Sequence, residues 1–431
     1  MKRSLAADVR PGELWAWAMY DFANSGYTTV VITAIFNAYF VAEVAGNAQW
    51  ATLVWTLALA VSYALIMLTA PVVGAYADIY AAKKRLLAVT TVGCVLATAA
   101  LGWVGPGDLW LGIVLIVLSN FFFGSGENII AAFLPELARG RGLGRVSGWG
   151  WGLGYVGGLV SLGLSLAYVT WAQGQGQQAA QFVPVTMLIT ASLFALASLP
   201  TFMFLRERAI PNPALQAHSV AAGAFARVAQ TLKRVHHYRD LRLFLICTVF
   251  YQAGIMAVVS LAAIYATQVM GFSTQDTLQL ILVVNVTAAI GAFFFGYLQD
   301  RIGHIPAIAL VLLGWLVTVA LVWLARGPGL FWLAANLAGL CLGGSQSAGR
   351  ALVGLLSPAN RRAEFFGLWG LAVKLSAILG PVTYGLVSWL SQGDHRLAML
   401  MTGGYFLVGL ALLSRVDVKR GRRAALSRGN Q

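Results

Sequence analysis

Apolar runs of about 20 residues recur along this chain between short polar intervals, and each is long enough to cross a hydrocarbon core of roughly 30 Å. They predict helices at 14–42, 48–72, 86–104, 110–135, 146–170, 183–205, 241–266, 277–299, 305–325, 329–356, 365–390 and 396–414. The longest polar stretch, 206–240, divides these spans six and six. The expected architecture is an all-α membrane protein of about twelve transmembrane helices in two pseudo-symmetric six-helix halves. Residues 1–205 form the N-terminal half, 206–240 a linker, 241–415 the C-terminal half and 416–431 a basic tail. Within the linker, Phe225, Val228, Leu232 and Val235 repeat at helical spacing among Arg227, Lys233 and Arg234, the pattern of an amphipathic helix lying on a membrane surface. Residues Met1 to Pro11 are polar, without a small-residue cleavage site, so an uncleaved first helix is expected rather than a signal peptide.

Composition supports the bilayer as solvent. Of 431 residues, 59% are hydrophobic and only 10% charged, where a soluble domain carries roughly 25% charged residues. The net charge of +14 raises nucleic acid as a partner, but the placement of the bases excludes it. With both termini cytoplasmic, twenty-five of the 29 Lys and Arg residues fall in inner segments, as the positive-inside rule requires. The chain is therefore expected in the cell (inner) membrane, with the lipid bilayer around it and no nucleic-acid partner. Cys94, Cys247 and Cys341 lie apart inside spans and make neither a disulfide framework nor a metal site. The five histidines all fall in loops. No phosphate-binding Walker sequence is present, Gly152, Gly154 and Gly157 lie in a membrane helix rather than after a strand, and no cofactor is expected.

The two halves share a punctuation mark. After the second span of the first half come Gly74 and Asp78, then Lys83, Lys84 and Arg85; after the second span of the other come Gly296, Asp300, Arg301, Gly303 and His304. The offset is 222 residues, which indicates duplication. A glycine here lets helices approach closely, and an aspartate can cap a neighbouring helix N-terminus or pair with the loop bases. The second copy closely resembles the loop signature of the major facilitator superfamily; the first has Ile79 where a base is usual. The stretch from Trp17 through Tyr20, Asp21, Asn24 and Ser25 to Tyr27 resembles the first helix of the vacuole-effluxer-like branch, relatives of the fungal vacuolar amino-acid effluxer. Ser147 to Gly158, Gly343 to Arg350, and Glu364 to Lys374 with Gly380-Pro381 agree with it. The departures are Ala253, where such proteins often carry an Asp before the glycine, and Ala131, where an Asn often precedes Leu-Pro. Both concern polar groups of the cavity, so a relative's substrate transfers poorly.

Polar groups in hydrocarbon need a partner or water and tend to face the bundle interior. Asp21, Asn24, Ser25 and Thr28 share one face of helix 1; Asn120, Gly124, Glu127 and Asn128 form a stripe on helix 4; Asn336, Gly339, Gly343, Gln346 and Arg350 form one on helix 10. The resemblance implies that helices 1, 4, 7 and 10 line a central cavity, and its motifs add Tyr20, Tyr155, Tyr251 and Gln252 to the expected substrate-binding set. Asp21 and Glu127 come out at depths similar to those of Arg350 and Lys374, so two acids of one half face two bases of the other at one level. That pattern suits a site for a zwitterion or anion, or a gate of ion pairs. The expected function is secondary active transport of a small polar solute, an amino acid on the resemblance, by alternating access, with protons as a candidate coupling ion, by a monomer. A membrane enzyme is excluded for want of a catalytic segment; a transport-inactive sensor or scaffold is the alternative.

Overall fold

The computed structural model describes residues 5–6, 8–46, 48, 50–138, 142–209, 238–272, 274–392 and 394–428. Twelve long helices account for nearly all of them. The first half comprises α1 (Pro11–Val44), α2 (Ala51–Tyr80), α3 (Lys83–Ala100), α4 (Leu109–Ala131), α5 (Gly142–Gly174) and α6 (Ala179–Phe204). The second comprises α7 (Arg239–Gln268), α8 (Thr274–Ile302), α9 (His304–Leu324), α10 (Pro328–Leu356), α11 (Arg362–Leu390) and α12 (His395–Leu413), followed by a short helix α13 (Val418–Arg428). Among the described residues, eleven helices are long and apolar enough to cross a membrane. α10 is 29 residues long, but Gly339, Gly343, Gly344, Ser345, Gln346 and Arg350 dilute its apolar character. The predicted amphipathic linker helix, with Phe225, Val228, Leu232 and Val235, lies outside the described residues.

Outward faces are apolar. Leu53, Leu57, Val61, Leu65 and Leu68 of α2 and Val89, Val92 and Leu96 of α3 are exposed. In water such stripes would be an aggregation liability; against lipid they cost nothing. Each half has its own buried apolar cluster.

Several helices overrun their predicted ends on the side where the chain termini lie, called the terminal end below. α2 continues to Tyr80 rather than 72, α5 begins at Gly142 rather than 146, α8 runs to Ile302 and α11 begins at Arg362. Hydropathy locates the hydrocarbon boundary, whereas backbone hydrogen bonding carries a helix beyond it. α1 departs in another way: Tyr27–Ala34 and Phe40–Val44 are wound as π-helix. Before and within the first of these turns, Ser25, Thr28, Thr29 and Thr33 return their hydroxyls to the carbonyls of Asp21, Ser25, Ser25 and Thr28, competing with the regular ladder.

The halves meet along four pairs of helices: α2 with α11, α5 with α8, α5 with α10 and α4 with α11. α5 is built for this. Gly148 and Gly152 lie against α8, where an added Cβ would meet the Ala292 carbonyl oxygen (2.6 Å) and Phe293; Gly154 and Gly157 lie against α1, on Ser25 and Phe22. The small residues let backbones close on both sides.

Candidate functional site

At the terminal end each half caps a helix of the other. Asp78, two residues before the end of α2, accepts the backbone N–H groups of Ala363 (3.2 Å) and Glu364 (2.9 Å) at the start of α11. Asp300, two residues before the end of α8, accepts those of Gly144 (3.1 Å) and Arg145 (3.2 Å) at the start of α5, with Arg145 Nε at 3.6 Å. The first N–H groups of a helix have no partner within it, and the dipole there favours negative charge. Gly74 and Gly296 make the approach possible, since a Cβ at either would run into the carbonyl oxygen of Ala363 or Gly144. Of the two roles expected for these aspartates, capping dominates. Two residues expected in the loop motifs act elsewhere. Lys83 forms a buried ion pair with Glu136 of its own half, while Glu207 accepts the N–H groups of Lys83 and Lys84. Arg301 is exposed, and Asp300 pairs with Arg145. Gly303 has φ +97°, and Ala81, three residues after Asp78 as Gly303 is after Asp300, has φ +48°.

Further into the molecule, four interior charges pair across the halves. Arg350 Nη1 of α10 donates to Asp21 Oδ2 of α1 at 2.7 Å, Nε to Ser147 Oγ at 3.1 Å and Nη2 to the Ser147 carbonyl at 3.0 Å. Its guanidinium carbon lies 4.8 Å from the centre of the Trp17 ring and 5.3 Å from that of Trp151, within reach of cation–π attraction. Gly150 of α5 faces the pair so closely that a Cβ would strike both Arg350 and Asp21. The second pair is looser. Lys374 Nζ of α11 lies 3.3 Å from Glu127 Oε2 of α4, with the Tyr63 ring centre 5.4 Å away.

The two pairs lie at overlapping depths. Arg350 bonds to Ser147, about 5 Å above the capped Gly144, but the Asp21 carboxylate faces Gly150, about 9 Å above it, and the Asp21 Cβ faces Gly154, about 15 Å above it; Lys374 is ten residues, about 15 Å, above the capped Glu364. Tyr20, next to Asp21, likewise lies against Gly126, next to Glu127.

The remaining expected site residues divide. Asn120 donates to Ser62 Oγ of α2 at 3.0 Å. Asn128 is buried against Gly370 of α11, its Nδ2 without a hydrogen-bond partner among the described residues. Gln252 Nε2 donates to Gln346 Oε1 at 2.9 Å, joining α7 to α10. Asn24 is buried beside Ser25, Asn336 donates to the Trp332 carbonyl of its own helix, and Tyr155 is half-buried near Trp151. Ser25 and Thr28 bond within α1, Ser25 also facing Gly154 of α5. Tyr20 and Tyr251 are corrections. Tyr20 is buried in the N-terminal half, its hydroxyl 2.8 Å from Thr91 Oγ1, and Tyr251 packs in the apolar core of the other half. An aromatic ring on a cavity-lining helix gains more from its own half's core than from a wet space.

Sequence reasoning missed Tyr63 and the position of Gly150. Trp17, Ser147, Gly150 and Trp151 stood in the motifs that carried the resemblance, but nothing marked their partner as Arg350. Tyr63 gave no signal, being one aromatic residue in an apolar run of a helix not expected to line the cavity.

With this geometry in view, comparison with known proteins is informative. The family described as "Vacuole effluxer Atg22 like" matches residues 41–144 and 141–426. The chain is 27% identical over 413 residues to an uncharacterized MFS-type transporter, YxiO, of Bacillus subtilis (strain 168), covering 93% of this chain and 94% of that one. It is 27% identical over 305 residues to autophagy-related protein 22-1 of Aspergillus niger, covering 66% of this chain and 48% of the relative; it thus spans about half the length of that fungal protein. Among solved structures, the transporter FucP in its outward conformation superimposes with a TM-score of 0.72 at 17% identity, over 94% of this chain and 98% of that one. The human organic anion transporter MFSD10 (TETRAN) gives 0.71 at 13% identity, over 94% and 100%. These likenesses show the fold.

Proposed function

The chain belongs to the vacuole effluxer Atg22-like family of major facilitator transporters, and from that premise we propose that it moves a small polar solute, such as an amino acid, by rocking its two halves about a central site. The carrying observation is the reciprocal capping: Asp78 holds α11 and Asp300 holds α5, each across the boundary between halves. A contact made by one half on the other, twice, in equivalent places, is what a symmetric rocking motion must break and remake. The Asp21–Arg350 pair crosses the same boundary and breaks in the same motion. In the conformation described, the terminal end is therefore closed. With the basic segments facing the cytoplasm, this is the outward-open state of a monomer.

Amino acids fit as substrates through the paired acids and bases of the interior, and the family's description as a vacuole effluxer supports transport. Proton coupling fits Glu127, the more accessible of the two interior carboxylates. Uptake of a radiolabelled amino-acid mixture into proteoliposomes, with and without a pH gradient, tests both. The expected result is saturable flux that the gradient drives above equilibrium. Absence of flux for every amino acid in either direction would sink the substrate assignment, and flux indifferent to the gradient would remove the proton.

A further inference from the structure

The two cross-half ion pairs differ in ways that separate their tasks. Arg350 makes three hydrogen bonds, lies within 5.3 Å of two tryptophan ring centres, and leaves 3% of its side chain exposed, with Asp21 at 10%. Each guanidinium nitrogen donates to the protein, so a ligand here would have to displace bonds already made. The base of this pair is bonded to Ser147, one turn above the capped start of α5. Glu127 and Lys374 share one long hydrogen bond of 3.3 Å, with 25% and 11% of their side chains exposed. They lie about 15 Å from the cap layer, half of a hydrocarbon thickness. Asn128, on the same face of α4, carries a buried amide nitrogen that lacks a partner among the described residues.

We propose that Glu127, Lys374, Asn128 and Tyr63 form the polar subsite for the transported solute, and that Asp21–Arg350 is a closing contact the solute never touches. The assignment rests on the transport reading above and deepens it. The class of ligand follows from charge balance. A loose acid–base pair in low dielectric is opened without penalty only by a ligand that satisfies both partners at once. A small zwitterion does so: its carboxylate takes Lys374 Nζ and the free Asn128 amide N–H, and its ammonium takes Glu127. A simple anion strands Glu127, and a simple cation strands Lys374. Tyr63, beside the lysine, walls the site.

The test uses the full chain in lipid nanodiscs. A mixture of the twenty standard amino acids is titrated while thermal unfolding is followed, then a matched mixture of N-acetyl derivatives, then one of methyl esters. Spin labels at Arg85→Cys and Ala359→Cys, exposed at the terminal ends of opposite halves, report inter-half distance; the native cysteines are buried. The unmodified mixture should stabilise the protein and the two blocked mixtures should not. Glu127→Gln and Lys374→Gln should each weaken binding at least tenfold with inter-half distances unchanged, whereas Asp21→Asn should broaden the distances. Should a single variant fail to assemble, the neutral double variant Glu127→Gln/Lys374→Met should assemble and not bind. Normal binding by the Lys374 variant, equal response to the blocked mixtures, or no response of the unaltered protein to the amino acids would overturn the assignment. So would lost binding in Asp21→Asn with unchanged distances. Distances that never change in the unaltered protein would instead overturn the transport reading beneath it.

Discussion

Ala81 and Gly303 stand at the same place in the two repeats, and both have left-handed backbone angles, φ +48° and +97°. Only the second copy has the residue suited to them, since a Cβ in that region costs about 1 kcal/mol. Ala81→Gly should therefore stabilise the protein, by about 1 kcal/mol less the backbone freedom glycine adds to the unfolded chain, read as a rise in unfolding temperature in detergent; Gly303→Ala should lower it. A second residue-scale prediction concerns Gly150. Its missing Cβ leaves room for Arg350 and Asp21, so Gly150→Ala should force the pair apart and cost about 2 kcal/mol through overpacking. Gly163→Ala, in the same helix with no atom near the added Cβ, should have no such effect; equal unfolding temperatures for the two variants would contradict this account. The four interior charges were legible in the sequence because a charge inside an apolar run is costly and must have a use. Which acid meets which base was not, because that depends on where each helix starts. Tyr63 was invisible as a single aromatic among many.

Among the elements, α13 shows most clearly what hydropathy alone leaves out. Sequence reading assigned 416–431 to a basic tail; instead Val418–Arg428 is helical and tied to α7 and α10. Arg420 donates to both carboxylate oxygens of Asp240 (2.8 and 2.7 Å), which also accepts the Asp417 N–H at 2.8 Å. Asp417 begins the helix and accepts the Arg420 N–H, which holds its carboxyl below the usual range. The other half has its own tether, with Arg208 bonded to Glu13 and Asp8, Glu13 chiefly holding it more basic than usual. Asp240→Asn should loosen α13, seen as faster hydrogen exchange over 418–428 with exchange in α9 unchanged; equal exchange in both proteins would mean that the apolar contacts of α13 suffice. The helices themselves were legible, since length and apolarity decide a span. The π turns of α1 were not, because Ser and Thr back-bonding perturbs the ladder without changing the apolar pattern.

At the scale of the molecule, duplication was readable from two glycine–aspartate pairs 222 residues apart, and the fold followed from it. The exchange of caps between halves was not readable, because spacing along one chain does not say which helix start lies opposite. Sidedness gives one prediction here: a cysteine placed at residue 218 should react with impermeant reagents only from the cytoplasmic side, and labelling from outside intact cells would reverse the topology. The central claim, that reciprocal caps hold one access state closed and release it in the other, is tested most directly by the inter-half distance distribution between labels at positions 85 and 359, comparing the unaltered protein with Asp78→Asn/Asp300→Asn. Asparagine can still accept the N–H groups but lacks the charge that favours a helix start. The account predicts a short-distance population that the double variant shifts toward a longer one while the protein stays folded; identical distributions in the two proteins would contradict it.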